Sequence, residues 1–321
     1  MSRYARQMIL PEVGAQGQAA LSAAHVLVIG AGGLAASALP LLAGAGVGRI
    51  TIVDGDTVEL SNLHRQTMFT EGDQGKPKAE VAAERCQAIN GEIMVEAVVA
   101  KLTPANAPKL LDGVTLVMDC ADSYAVSYTL SDLCLAQNIP LITGSALALS
   151  GYAAGVCGGA PSLRALFPEA SESGASCATA GVMGPVVALI GAMQVQMALA
   201  TLMAHQPSPL GQMVQFDART MRSAPFRFDA APEPETVFGF VAPEMLSEAD
   251  TIVELRDAAE APIPAHPNAI RILPDQVKDS LPIAEGRLAL CCATGLRSWR
   301  AAETLQEIWP GEIVLVAASA S

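Results

Sequence analysis

A short apolar run that turns through glycines into an alanine-rich helix constrains this chain more than any other feature. Val26–Ile29 is long enough for a buried parallel strand and too short for a helix. Gly30, Gly32 and Gly33 follow at once, and Leu34–Ala45 reads as a helix with Pro40 as a kink point. A second apolar run, Arg49–Val53, ends in Asp54, 24 residues after Gly30. Such a turn lets backbone N–H groups approach phosphate oxygens and aims the positive end of a helix at them. A carboxylate at the tip of the second strand is where this arrangement grips ribose hydroxyls. The segment therefore predicts a nucleotide site, without saying which nucleotide. A tight strand–helix turn that holds no ligand is the plainer alternative, and the third glycine of the usual dinucleotide pattern is Ala35.

The chain has 321 residues, enough for about two domains with a large core. Its 19 Lys and Arg against 32 Asp and Glu leave a net charge of −13, which argues against nucleic acid or an acidic membrane as partner. The seven cysteines form no CxxC pair, which suits a reducing, cytoplasmic setting. MSRYARQMIL lacks the apolar core of a signal peptide. Gly181–Ala204 carries no charge over 24 residues, long enough to cross a bilayer. It contains Pro185, Gln194 and Gln196 and has no flanking Lys or Arg cluster, so the expectation is a helix buried in the protein or at a subunit interface.

Strand and helix patterns alternate through residue 145. A polar, turn-prone loop, GDTVELSNLHRQTMF, follows Asp54, and Lys76 and Lys78 flank Pro77 at the start of a helical pattern over Ala79–Ile89. Ile93–Val99, Val114–Asp119 and Ile139–Thr143 read as further strands. The prediction is an α/β fold, a Rossmann-like, mainly parallel sheet with helices on both faces. The fourth strand presents Asp119 and Asp122, either as Mg²⁺ ligands on a triphosphate or as helix caps. Gly151–Ala180, rich in Gly, Ser and Ala, reads as a long connection. Cys177 near its end is either a nucleophile before a helix or an inert small residue.

Taken together, RYARQMILPEVG, GAGGLA, VDGDTVELSNLHRQ, GKPKAE, DCADS, FPE with SCATAGVMGP, and MVQFDA resemble the ThiF/MoeB/HesA family, relatives of ubiquitin-activating E1 enzymes. The resemblance covers residues 3–228. It implies an adenylyltransferase that uses ATP and Mg²⁺ to activate the C-terminal glycine of a ubiquitin-like sulfur-carrier protein for thiocarboxylate formation. By the same resemblance, Gly30, Gly32 and Gly33 form the phosphate loop, and Asp54, with Asp56 beside it, binds the nucleotide. Ser61, Asn62, Leu63, His64 and Arg65 would hold the phosphates, and Lys78 would contact the triphosphate. Asp122 and Ser123 match an Asp-Asn pair, with Asp122 as the Mg²⁺ ligand. Arg6 matches an arginine that reaches into a partner's site in a homodimer, and Cys177 matches the cysteine of the crossover loop. Lys78, Arg65, a trans arginine and Mg²⁺ are the cations that such a charged transition state requires.

Several positions depart from the family pattern. The first zinc-binding CxxC pair would fall on Ser162 and Ala165, and nothing after Ala218 supplies a second, so no zinc is expected. Ser127 stands where an arginine often follows. A seam over Asp229–Glu248 holds Pro232, Pro234 and Pro243 among acidic residues, and the expected domains are residues 1–235 for adenylation, a linker over 236–247, and a truncated rhodanese-like unit over 248–321. The last is marked by IVELRDAAEAP and by Cys292-Ala-Thr-Gly-Leu-Arg297-Ser298, a C-x4-R loop opening a helix. Cys292 is then either a persulfide carrier, fed by a cysteine desulfurase, or part of a structural remnant. Two other readings stand beside the adenylyltransferase: an NAD-dependent oxidoreductase, and an inactive E1-like scaffold.

Overall fold

The computed structural model describes residues 3–169, 181–282 and 285–318. Its larger sheet contains β1 (His25–Ile29), β2 (Arg49–Val53), β3 (Met94–Val98), β4 (Leu116–Asp119), β5 (Pro140–Leu147), β6 (Ser150–Cys157), β7 (Gln212–Asp217) and β8 (Arg222–Arg227). The strand order is β3-β2-β1-β4-β5-β6-β7-β8. Strands β1 to β5 pair in parallel, and β6, β7 and β8 continue the sheet antiparallel. The parallel half is the doubly wound sheet that the alternating pattern predicts.

Side-chain alternation along β1 divides the core into two layers. Val26 and Val28 pack with Leu39, Leu42, Ile50, Ile52 and Ile190 on one face. Leu27 and Ile29 pack with Val117, Leu130 and Cys134 on the other. The first face carries the Gly33–Ala45 and Gly184–Leu202 helices. They lie so close that a Cβ on Gly191 would sit 2.3 Å from the Leu34 carbonyl oxygen. The uncharged helix is therefore a core helix along its inner side. Its polar Gln194 is fully buried and satisfied: Nε2 donates to the Asp119 carbonyl at 2.8 Å.

Two expectations change. Gly151–Cys157, expected within a long connection, lies in β6, an eight-residue strand paired along β5. Its glycines hid the strand pattern, yet they are what the packing needs. A Cβ on Gly151 would lie 2.6 Å from the Ser145 carbonyl oxygen, and one on Gly155 would lie 2.5 Å from that of Pro209. The expected linker over 236–247 contains β9 (Gly239–Phe240), an edge strand of the second sheet. Pro and acidic residues masked the signal of Phe238 and Phe240, both of which are buried.

The second sheet is wholly parallel, in the order β11-β10-β12-β13-β9. It comprises β10 (Thr251–Glu254), β11 (Ile270–Arg271), β12 (Leu288–Cys292) and β13 (Ile313–Ala317) beside β9. The two units share apolar core: Ala125, Tyr128 and Leu163 of the first belong to one buried cluster with Phe238, Phe240, Trp299 and Leu305 of the second.

Candidate nucleotide site

The carboxyl ends of β1, β2 and β4 gather most of the residues singled out in the sequence. Gly30 leaves β1 with φ +89°, a left-handed conformation that suits glycine. A Cβ there would lie 2.8 Å from the Cys120 carbonyl oxygen. Gly32 is the N-cap of the Gly33–Ala45 helix, and a glycine has no side chain to satisfy the first-turn N–H groups. That uncapped, positively polarised end is a ready anion site. One expected donor is already used: Ala31 N–H donates to Asp54 Oδ2 at 2.6 Å.

Asp54 Oδ1 accepts from the Asp56 N–H at 2.7 Å, so both oxygens are fixed by backbone. Burial pushes its carboxyl above the usual range, opposed by these two bonds and by the Lys78 charge. Lys78 opens the Lys78–Ile89 helix and is buried. Its Nζ lies 3.2 Å from Asp56 Oδ2, so Asp56 serves as its counter-ion.

The SNLHR segment forms a short turn at Leu60–Asn62 and continues past the glycine helix. Asn62 is buried. Its Nδ2 donates to Glu59 Oε2 at 3.0 Å, and its Oδ1 accepts from Arg65 Nη2 at 3.0 Å and from Gln66 Nε2 at 3.2 Å. Asn62 therefore braces the loop. Ser61 is exposed and donates to Glu59, and Leu63 packs on the main core. His64 is exposed, with Nε2 2.9 Å from Arg65 Nη1.

Arg65 is the distinctive group. Its remaining bond goes to the Ser61 carbonyl, so none of its hydrogen-bond partners among the described residues is a carboxylate. No ion pair among the described residues includes it. It lies between two helix starts: a Cβ on Gly33 would be 3.6 Å from Arg65 Cγ, and one on Gly184 would be 3.5 Å from Arg65 Cα. A cation without a counter-charge among the described residues, beside uncapped helix N-termini, raises the local positive potential.

The family model described as ThiF family matches residues 4–236. The chain belongs to the ThiF family. It is 38% identical over 231 residues to the SAMP-activating enzyme E1 of Haloferax volcanii, a match spanning 71% of this chain and 86% of that protein. It is 41% identical over 228 residues to the sulfur carrier protein adenylyltransferase of Thermus thermophilus, spanning 68% and 83%. The adenylyltransferase and sulfurtransferase MOCS3 of Anopheles gambiae is 38% identical over 265 residues, spanning 80% of this chain but only 57% of that protein. Among solved structures, E. coli MccB with ATP superposes with a TM-score of 0.63 at 21% identity over 72% of this chain and 73% of that one, which establishes the shared fold.

The ThiF-family chain separates by burial the aspartate that ends β4, Asp119, from Asp122 in the turn after it. Asp119 is fully buried, accepts from Thr143 Oγ1 at 2.9 Å and from the Ala121 N–H at 3.1 Å, and is bonded by Ser127. It is a structural group. Ser127, at a position where an arginine often stands, is thus part of that buried bonding. Asp122 is exposed, and Ser123 begins the Tyr124–Gln137 helix without using its hydroxyl as a cap. One exposed carboxylate with an idle hydroxyl beside it suits Mg²⁺, which keeps several waters and takes phosphate oxygens.

Sequence reasoning passed over Gln66, which is 3% exposed and has Oε1 without a partner. Its Nε2, bonded to Asn62, would lie 3.8 Å from a Cβ on Gly32, so this side chain stands against the glycine loop. Its place in SNLHRQ was the available signal.

Arg6 is exposed in the Ala5–Met8 helix. Its neighbour Gln7 donates to the Ala45 carbonyl at 2.9 Å, at the far end of the glycine helix. Thirteen helical residues put that end about 18 Å from Gly33, so the structure does not bring Arg6 to its own chain's site. Cys177 lies outside the described residues. Ser162, where the first cysteine of the family's CxxC pair would fall, caps the Leu163–Leu166 helix and donates from N and Oγ to Glu233 at 2.7 and 2.5 Å.

Cys292 ends β12, fully buried. Its Sγ accepts N–H bonds from Gly295 at 3.1 Å and from Ser298 at 3.4 Å. Arg297 of the same loop forms a bidentate pair with Glu260.

Burial pushes the Asp119 carboxyl up to about 6, despite its three donors. An unfolded-chain aspartate titrates near about 3.9. Between about pH 4 and 6 the folded state keeps a proton that the unfolded chain has lost, so this group's contribution to stability falls as pH rises, then levels off. The expected size is on the order of 1–3 kcal/mol. The difference in urea midpoint between wild type and Asp119→Asn should decline across that window; a flat difference would contradict the assignment.

Proposed function

We propose that this chain uses ATP to adenylate the C-terminal carboxylate of a small ubiquitin-like sulfur-carrier protein ending in Gly-Gly. The observation that carries this reading is Arg65, a cation with no carboxylate partner among the described residues, set beside an uncapped glycine helix, with Asp54 and Lys78 on the neighbouring strand end and helix. Asp54 holds the ribose. The first-turn N–H groups, Asn62, Arg65 and Lys78 hold the phosphates. Asp122 would hold Mg²⁺, which supplies charge neutralisation on the triphosphate, and the Ser123 hydroxyl lies next to it. The attacking group is already a carboxylate, so no general base is required. Catalysis rests on positioning and on cations where charge develops. An oxidoreductase would leave Arg65 and Lys78 without a task.

The test is ATP–pyrophosphate exchange with a Gly-Gly-ended carrier. Exchange that depends on the carrier and on Mg²⁺ supports the reading; none with any candidate carrier refutes it.

Arg6 acts from a second copy in this reading, because its own site lies a helix length away. The unit over 248–321 supplies sulfur: the Cys292 thiolate takes a sulfane sulfur from the persulfide of a cysteine desulfurase, the outer sulfur attacks the acyl-adenylate and expels AMP to give an acyl disulfide, and a second thiol then cleaves the S–S bond, forming a disulfide with Cys292 and releasing the thiocarboxylate. Incubation with a desulfurase and cysteine should add one sulfur to Cys292, detected by peptide mass, and Cys292→Ser should remove the label. Absence of label on the wild type would leave this unit a structural remnant.

A further inference from the structure

Arg164 is 3% exposed, and its guanidinium is held on every side. Nε and Nη2 donate to the two oxygens of Asp132 at 2.6 and 2.8 Å, and Nη2 also donates to the Phe238 carbonyl at 3.0 Å. The group lies 4.9 Å from the Tyr128 ring centroid and 5.3 Å from that of Trp299. Tyr128 and Trp299 themselves meet edge to face, with centroids 4.7 Å apart. Asp132 and Tyr128 lie on the Tyr124–Gln137 helix of the adenylation unit, whereas Phe238 and Trp299 pack in the second unit. Both contacts with the second unit lead to Cys292. The Trp299 N–H donates to the Gly295 carbonyl, and Gly295 N–H donates to Cys292 Sγ. Phe238 leads into β9, whose Phe240 ring presses on Gly295: a Cβ there would lie 2.5 Å from it.

We infer that Arg164 is a positioning residue for the Cys292 loop, fixing Trp299 and the Phe238–Phe240 segment together against the adenylation unit. The inference rests on the reading of Cys292 as the sulfur-carrying group. A planar, forked guanidinium does what an ammonium cannot: it pairs with a carboxylate at two points while its face meets aromatic rings. Without it, Asp132 is left without its cation, and the two elements that hold the loop lose their shared anchor. The loop then opens locally, without unfolding of the whole chain.

The test uses the full chain. Alkylation of Cys292 by iodoacetamide, followed by peptide mass, should be slow in the wild type and about tenfold faster in Arg164→Met. Arg164→Lys should not restore the wild-type rate, because the fork is lost. In a Trp309→Phe background the Trp299 emission should shift to the red, while carrier-dependent pyrophosphate exchange stays within about twofold. A merely structural role would lower the melting temperature and leave Cys292 reactivity unchanged well below it. Unchanged reactivity in Arg164→Met overturns the inference. Should that variant fail to fold, Asp132→Asn keeps the arginine and both rings, and unchanged reactivity there overturns it equally. Alkylation needs no sulfur donor, so a failure of the sulfur reading shows separately, as a wild-type Cys292 that alkylates but never gains sulfur.

Discussion

Arg65→Ala should lower carrier-dependent ATP–pyrophosphate exchange by about 10²–10³-fold while leaving the melting temperature nearly unchanged. Arg65 is only half-buried, and its bonds among the described residues go to its own loop and not to a carboxylate, so its removal strands no buried carboxylate among them. Asn62 keeps its bonds to Glu59 and Gln66, and the loop stays braced. What disappears, in the proposed reading, is charge at the point where negative charge grows on the α-phosphorus and on departing pyrophosphate. Lys78→Ala is a less clean experiment, because Lys78 is buried and its loss frees Asp56. Exchange retained at the wild-type rate in Arg65→Ala would show that Arg65 does not meet the charge that develops on the phosphates.

Gly30 and Gly32 should respond oppositely to alanine. Gly30→Ala places a side chain at φ +89° and 2.8 Å from a backbone carbonyl oxygen that cannot move aside cheaply. The left-handed conformation costs about 1–2 kcal/mol and the crowding about as much again, so a loss of about 2–4 kcal/mol is expected by urea denaturation. Gly32 has a negative φ and nothing nearer to a new Cβ than Gln66 Nε2 at 3.8 Å. Gly32→Ala should therefore fold normally. Its methyl would stand over the open helix end, and weakened ATP binding by calorimetry is the expected result. Equal destabilisation by both substitutions would contradict the geometry.

Motifs dominated by local chemistry were legible from residue order. The strand–glycine–helix turn, the Asp54 strand tip and the Lys78 helix start all lie where the pattern places them, because backbone conformation and helix polarity depend on nearest neighbours. The misread segments are those whose meaning depends on distant contacts. Gly151 and Gly155 look like loop residues until the Ser145 carbonyl and Pro209 are seen to press on them. Phe238 and Phe240 look like part of a proline-rich seam until β13 pairs beside them.

The residue order alone determined a mainly parallel sheet, its strand–glycine–helix turn and the basic residues near its carboxyl ends, since hydrophobic period and glycine placement act within a few residues. Only the tertiary structure buried Asp119 and exposed Asp122, left Arg65 without a counter-ion among the described residues, and joined the two units through Arg164. Burial and charge pairing are set by groups tens of residues away, 74 in the case of Arg164 and the Phe238 carbonyl, and no local pattern carries that information.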